Sequence, residues 1–219
     1  MNSLEAELER ARDLSIDELA DAIQSIGFEC TRCGGCCTAE QEDPHTATVF
    51  PDEIRELTDA TENDWRDVAR PMPYGLEERD QELEGETFEW ALQTTDCGDC
   101  TFYEEDEDGI GACTVHENRP LICATYPFSV ALGGTSQPMG EPVDEAGMVR
   151  AHECEGLGAD IDRVDAVALA ETLKERAVTE LEEAISIREG YEPADVQSGI
   201  VVHDSEGAKR ADGTPIESE

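Results

Sequence analysis

Residues 30 to 37 read Cys-Thr-Arg-Cys-Gly-Gly-Cys-Cys, and four thiols in eight positions constrain the fold of this chain more than any other feature. A thiolate is a soft ligand suited to zinc, copper(I) and iron–sulfur clusters, and a two-residue spacer lets a tight turn aim two sulfurs at one ion. Gly34 and Gly35 fit such a turn, because glycine tolerates positive backbone torsions and close backbone approach. The segment is therefore expected to wrap a metal.

Five more cysteines follow, at Cys97, Cys100, Cys113, Cys123 and Cys154, for a total of nine. In a secreted domain this number fits a disulfide framework with one thiol left over, whereas in a reducing cytosol the same spacings point to metal binding or catalysis. Met1 to Arg12 mixes Glu5, Glu7 and Glu9 with Arg10 and Arg12 and has no apolar core of the kind a signal peptide needs. No apolar stretch approaches the roughly 18 to 20 residues of a spanning helix. The expected location is the cytoplasm, without membrane attachment, and the expected state of the cysteines is metal-bound.

The chain has 219 residues, enough for one domain with trimmings, but 38% hydrophobic and 5% aromatic is a lean supply for a core, which metal staples would supplement. Fifteen basic against 54 acidic residues give a formal charge of −39, and only Lys174 and Lys209 are lysines. Such a surface repels itself in dilute buffer and is screened at molar salt, where the Debye length shrinks to about 3 Å. The expectation is adaptation to a high-salt cytoplasm. Disorder, the competing reading of low hydrophobicity and high charge, is opposed by acids dispersed among periodic apolar positions. Nucleic acid is not an expected partner, because phosphate binding depends on clustered cations and the arginines here are scattered.

Periodicity predicts a small, single, metal-stapled α+β domain, with helices around short strands and cysteine-rich loops. The expected divisions are an N-terminal helical segment (1–27), a cysteine-cluster metal-binding domain (28–158), a scaffold helix packed on it (159–190), and a short strand with a polar tail (191–219). Ser15 and Glu18 form a capping-box pair ahead of Ile16, Leu19, Ala20, Ile23 and Ile26 on one face, and Gly27 closes that helix. Thr46 to Phe50 is a short β-prone run, and Pro51 to Leu57 and Thr61 to Ala69 read as short helices, with Trp65 and Val68 as core contacts. Pro71 to Gly85 reads as acidic loop. Glu86 to Thr94 reads as a strand pointing Phe88, Trp90 and Leu92 to one side. Glu104 to Asp108 with Gly109 reads as a hairpin tip, and Pro120 starts a helical turn carrying Cys123. Ala131 to Glu145 is a glycine and proline loop that lacks a phosphate-cradle motif. Ile161 to Ile187 is the longest periodic stretch, with an expected stripe of Val164, Val167, Ala168, Leu173, Ala177, Leu181, Ala184 and Ile185, ending near Gly190. Gly199 to His203 is expected to add a strand, and Ser205 to Glu219 to be loose at its end.

With these motifs in place, the chain resembles the C-x-x-C-x-x-C-C cysteine-cluster family, described as zinc- or iron-chelating. Phe28 to Cys37 matches the opening signature. Cys100-Thr101-Phe102-Tyr103, the run from Cys113 to Cys123 that includes Asn118-Arg119-Pro120, and Tyr126-Pro127-Phe128 match a second block, and Cys154-Glu155-Gly156 matches a last cysteine–glycine element. Cys97 is additional to that pattern, and Ala124 and Thr125 depart from it. The resemblance implies metal binding by Cys30, Cys33, Cys36, Cys37, Cys100, Cys113, Cys123 and Cys154. It also reaches flagellin lysine N-methylases, which implies methyl transfer to a protein lysine as a possible activity and a protein substrate as a possible partner. No methyl-donor signature accompanies it: both the glycine-rich nucleotide-binding motif and the C-x-x-x-C-x-x-C triad are missing.

The spacings of Cys30, Cys33 and Cys36 equal those of the first three ligands in bacterial ferredoxins, which favours an iron–sulfur cluster. Cys30 and Cys33 joined to a second knuckle such as Cys97 and Cys100 would instead build a tetrahedral zinc site. Adjacent side chains rarely converge on one ion, so Cys36 and Cys37 are expected to serve different sites. Two functional readings follow: a metalloprotein with an iron–sulfur cluster or zinc and a redox or enzymatic role, and a zinc-stabilised module that binds a protein partner. His45, His116, His152 and His203 are weaker ligand candidates, since scattered histidines are more often hydrogen-bonded or surface residues. Arg119 is expected to neutralise a thiolate cluster or to pair with a carboxylate. The acidic run at 104–108 lacks calcium-loop spacing, and Trp65, Trp90, Tyr126 and Phe128 read as core aromatics.

Overall fold

The structure, a computed structural model, describes residues 3–39, 44–79, 82–107, 109–132, 141–194 and 199–216. In chain order its elements are α1 (Leu4–Arg12), α2 (Ile16–Ile26), β1 (Thr48–Val49), α3 (Pro51–Thr61), α4 (Trp65–Val68), β2 (Ala69–Pro71), β3 (Leu76–Arg79), β4 (Glu82–Thr87), β5 (Trp90–Leu92), β6 (Tyr103–Glu105), β7 (Gly111–Cys113), α5 (Leu121–Thr125), β8 (Phe128–Val130), β9 (Asp144–Ala146), β10 (Val149–Ala151), α6 (Arg163–Gly190), β11 (Ile200–Asp204) and β12 (Gly207–Arg210). Helices and several small sheets make an α+β protein, as the periodicity predicts. The chain forms two compact units, each assembled from three separate stretches.

The first unit comprises Met1–Cys36, Glu105–Ala112 and Leu121–Glu182. In α2 the Ser15 hydroxyl accepts a bond from Glu18 N at 3.4 Å, Leu19, Ala20, Ile23 and Ile26 are buried, and Gly27 at φ +81° ends the helix, as its sequence predicts. This apolar face packs on a three-stranded antiparallel sheet ordered β8-β10-β9, where Val149 pairs with both Val130 and Ala146. The part of α6 that belongs to this unit buries Ala166, Ala170, Leu173, Arg176, Ala177 and Leu181. The expected stripe is thereby corrected: Val164 is 76% exposed and Ala168 is also exposed. Alanines at 166, 170 and 177 define the buried face because small residues let the helix approach closely, and that face accepts one charged residue. Arg176 is fully buried, with Nε bonded to Glu180 at 2.7 Å and one terminal nitrogen bonded to Thr125 Oγ1 at 3.0 Å and to the Phe128 carbonyl at 3.3 Å.

The second unit comprises Cys37–Glu104, Cys113–Pro120 and Glu183–Glu219. It contains an antiparallel sheet ordered β1-β5-β2 and a four-stranded sheet ordered β12-β11-β4-β3, in which β4 and β11 run parallel. Trp90, 1% exposed, meets Trp65 edge-on with centroids 5.2 Å apart and donates from Nε1 to Asp204 at 2.8 Å. Lys209 completes this core: its ammonium bonds Asp204 and Glu206, each at 2.7 Å, and lies 5.3 Å from the Trp65 ring. Gly213 lies against the same ring, where an added Cβ would come within 2.6 Å of it.

Two expectations are corrected in this unit. Pro71 to Gly85 is not loop throughout but includes β3 and most of β4, an antiparallel pair with Glu77 opposite Glu84. Acidic residues hide the strands from a hydrophobic pattern, and the pair forms because it is largely solvated and β4 gains β11 as a second neighbour. The strand expected over 86–94 breaks at Phe88 and Glu89. Phe88 is 43% exposed, and in β5 Trp90, Ala91 and Leu92 are all buried, so alternation fails where both faces are covered. After Ser205 the chain forms β12, and the end expected to be loose (217–219) lies outside the described residues. The expected hairpin tip, the turn carrying Cys123, and the strand at 199–203 correspond to β6–β7, α5 and β11, whereas much of the glycine and proline loop (133–140) lies outside the described residues.

Candidate metal centre

The site begins with a backbone junction in the first unit. Phe28 forms an antiparallel bridge with Leu157, Glu29 N donates to Gly156 O at 3.0 Å, and Gly158 N donates to Gly27 O at 3.0 Å. The contact is close enough to demand glycine: a Cβ on Gly156 would lie 2.0 Å from the Glu29 carbonyl oxygen, and one on Gly27 would lie 2.4 Å from that of Ala159. Cys30 and Cys154 thus leave one junction from its two strands. Phe28 stands edge-on to Phe128 at 5.7 Å and carries the junction into the core.

The Cys154 segment is also bonded to the corner between α5 and β8. Tyr126 donates its hydroxyl to the Glu153 carbonyl, His152 N donates to Pro127 O at 2.9 Å, and Ser129 Oγ and His152 Nε2 are 2.8 Å apart in a buried pair. Cys123 lies in α5, two residues before the Thr125 side chain that Arg176 holds. Arg176 is therefore a brace for this corner, and sequence periodicity does not reveal it, because an arginine within a helical stripe reads as a solvent-facing residue.

Between Cys30 and Cys36 the chain takes two left-handed steps, Arg32 at φ 60° and Gly34 at φ 78°. The Arg32 carbonyl accepts a bond from Gly111 N at 3.0 Å, which pins the loop. A Cβ on Gly35 would be 3.6 Å from Cys33 Sγ, an ordinary contact, so of the two glycines only Gly34 is needed for its torsion.

None of the nine cysteines, all of which lie within the described residues, is joined in a disulfide. Cys30, Cys33 and Cys36 are exposed, and Cys123 and Cys154 are half-buried. Burial pushes the Cys154 thiol up, the Gly156 N–H pulls it partly back, and the negative charges of Cys33, Cys36 and Cys30 push it up further. Cys33, Cys36 and Cys30 thus lie within electrostatic reach of the Cys154 sulfur, and metal binding by such thiols releases their protons. Among the described residues, no three His, Cys, Asp or Glu side chains are already drawn together around a point an ion would occupy.

The remaining sequence-predicted ligands, Cys37, Cys100 and Cys113, fall in the second unit with Cys97, and the chain passes from one unit to the other at the Cys36–Cys37 peptide. Cys100 N donates to Cys37 O at 2.8 Å, Tyr103 N to Cys100 O at 3.0 Å, and Thr114 N to Phe102 O at 2.9 Å, so backbone bonds tie all three to one strand pair. The histidines have other roles. His116 is exposed beside Glu117, His152 pairs with Ser129, and His203 stacks on Phe88 and lies 3.1 Å from Glu86. Arg119 donates to the His116 carbonyl at 3.2 Å. Of the aromatic candidates, Trp90 and Phe128 are fully buried core residues.

The protein is thus a cysteine-rich α+β chain in which glycine-tight backbone contacts pair the segments that carry Cys30 and Cys154. The sequence matches the CxxCxxCC family, described as a "Putative zinc- or iron-chelating domain", over residues 29–155, more than half of the chain, and the chain belongs to that family. No curated protein matches it, nor does any solved structure. No helix among the described residues is long and apolar enough to cross a membrane.

Proposed function

We propose that the protein chelates iron as an iron–sulfur cluster through Cys30, Cys33, Cys36 and Cys154. The observation that carries this reading is the backbone pairing of the 27–29 segment, which leads into Cys30, with the 156–158 segment, which follows Cys154. The two-residue spacings from Cys30 to Cys36, with the fourth thiolate from a distant segment, support a cluster over a single ion. Such a cluster supplies one-electron chemistry, and Cys123, on the corner bonded to the Cys154 segment, is the auxiliary thiol. High salt and a cytoplasmic setting fit the acidic composition and belong to the same proposal.

Zinc is the second reading, favoured by the presence of enough thiols for a four-cysteine site. In it the metal stabilises a module that binds a protein partner. Anaerobic purification followed by iron, sulfide and zinc analysis and an absorbance spectrum separates the two. Stoichiometric iron and sulfide with a broad visible band is the expected result, and colourless protein with one tightly held zinc would replace the first reading by the second.

A further inference from the structure

The second unit holds a thiol pair that the proposed metal shell does not use. Cys97 and Cys100 flank Gly98 and Asp99 in the loop between β5 and β6. An antiparallel bridge between Thr94 and Cys100 closes this loop, and within it Thr95 N donates to Asp99 O at 2.8 Å and Gly98 N to Thr95 O at 2.9 Å. From outside, His45 N donates to Gly98 O at 2.8 Å and Ala39 N to the Asp99 carboxylate at 2.8 Å, so both residues between the cysteines are tied down. Gly98 has φ +87°, and a Cβ there would meet Ala39 Cβ at 3.1 Å and Pro44 Cα at 3.2 Å, so the turn depends on glycine. The two thiols differ in access: Cys97 is exposed and Cys100 is 5% exposed.

We propose that Cys97 and Cys100 form a redox-active dithiol that exchanges with small-molecule disulfides of the glutathione type. The Cys97 thiolate, the one solvent can reach, attacks a sulfur of the disulfide. Its S–S bond breaks, one thiol leaves, and a mixed disulfide remains on Cys97. Cys100 then attacks Cys97 Sγ, forming the Cys97–Cys100 bond and expelling the second small thiol. Two protein thiols are oxidised by two electrons, one disulfide is reduced to two thiols, and those thiols carry away both protons. The closed loop favours the second step because it holds the resolving sulfur three residues from the attacked one, at a high effective concentration. Cys37, whose carbonyl accepts the Cys100 N–H, is the competing partner.

The test uses the full chain with its metal bound, incubated with glutathione disulfide, then alkylated and mapped by peptide mass without reduction. The expected result is a Cys97–Cys100 disulfide with metal content unchanged. Cys100→Ser should accumulate a lasting glutathione adduct on Cys97, and Cys97→Ser should slow oxidation of Cys100 by at least about tenfold, because burial denies it access. A Cys37–Cys100 disulfide, a persistent adduct on Cys97 in the unmodified chain, or no reaction at Cys97 would overturn the proposal. Metal loss in step with oxidation would overturn it too by returning Cys100 to the metal shell, and would leave the chelation reading intact.

Discussion

At Gly156 the turn that presents Cys154 touches the strand that leads into Cys30, and the 2.0 Å that a Cβ would leave to Glu29 O cannot be absorbed without moving backbone. Gly156→Ala should therefore destabilise the protein by about 1–3 kcal/mol, the usual cost of overpacking, and weaken metal retention with it. Paired denaturant melts and chelator-competition titrations check this, and normal metal retention in a destabilised variant would separate the junction from the site. Cys33→Ser and Cys154→Ser should each lower metal content and melting temperature together, since a missing ligand leaves metal-linked folding free energy unrealised. Cys97→Ser should leave both near the unmodified values. Full metal occupancy in both ligand variants would refute the proposed shell. The opening signature is legible at this scale because thiol spacing is a local property, whereas the reason for glycine at 156 depends on a segment more than a hundred residues away.

Among the elements, α2 is legible from residue type alone: the cap at Ser15, the apolar face and the stop at Gly27 are all local signals, and the structure follows them. The buried Arg176 is not, because its charge is compensated by Glu180, Thr125 and Phe128, groups that only packing assembles. Arg176→Ala should cost about 3 kcal/mol, since a buried network loses its cation, and Arg176→Lys should recover only part of it because an ammonium lacks the planar fork. Urea unfolding of the two variants measures the difference. In the β11–β12 hairpin, the Arg55 guanidinium bonded to Glu206 holds that carboxyl down at about 2, against the opposing effect of burial and with help from Lys209. A depressed carboxyl stabilises above its unfolded pKa of about 4.3, and that stability is lost as pH falls through the folded value. The advantage of the unmodified chain over Glu206→Gln should thus be full near neutral pH and vanish by about pH 2, remaining under about 1 kcal/mol because the pair is largely solvated. An advantage unchanged down to pH 2 would contradict the ion-pair account.

For the whole molecule the dominant quantity is −39, with both lysines committed to internal bonds, Lys174 to the Leu14 carbonyl and Lys209 to Asp204 and Glu206. Carboxylate repulsion opposes compactness until counterions screen it, so the melting temperature should rise markedly from dilute buffer, where the Debye length is about 10 Å at 0.1 M, to molar potassium chloride, where it is about 3 Å. Circular dichroism and metal content followed through a salt series should show helices loosening before metal leaves, because thiolate coordination is less screened than surface charge. An unchanged melting temperature would defeat the high-salt reading.

The cysteine spacings, the caps, the net charge and the α+β character follow from the sequence by itself, because each is a property of neighbouring residues or of composition. Tertiary structure alone decided that the Cys154 segment pairs with the segment leading into Cys30, that Cys36 and Cys37 fall in different units, and that Arg176 and Lys209 go inside. The reason is physical: long-range backbone pairing such as that of Glu29 with Gly156 leaves no periodic trace in either segment, and a buried charge is tolerated only once its partners have been brought to it.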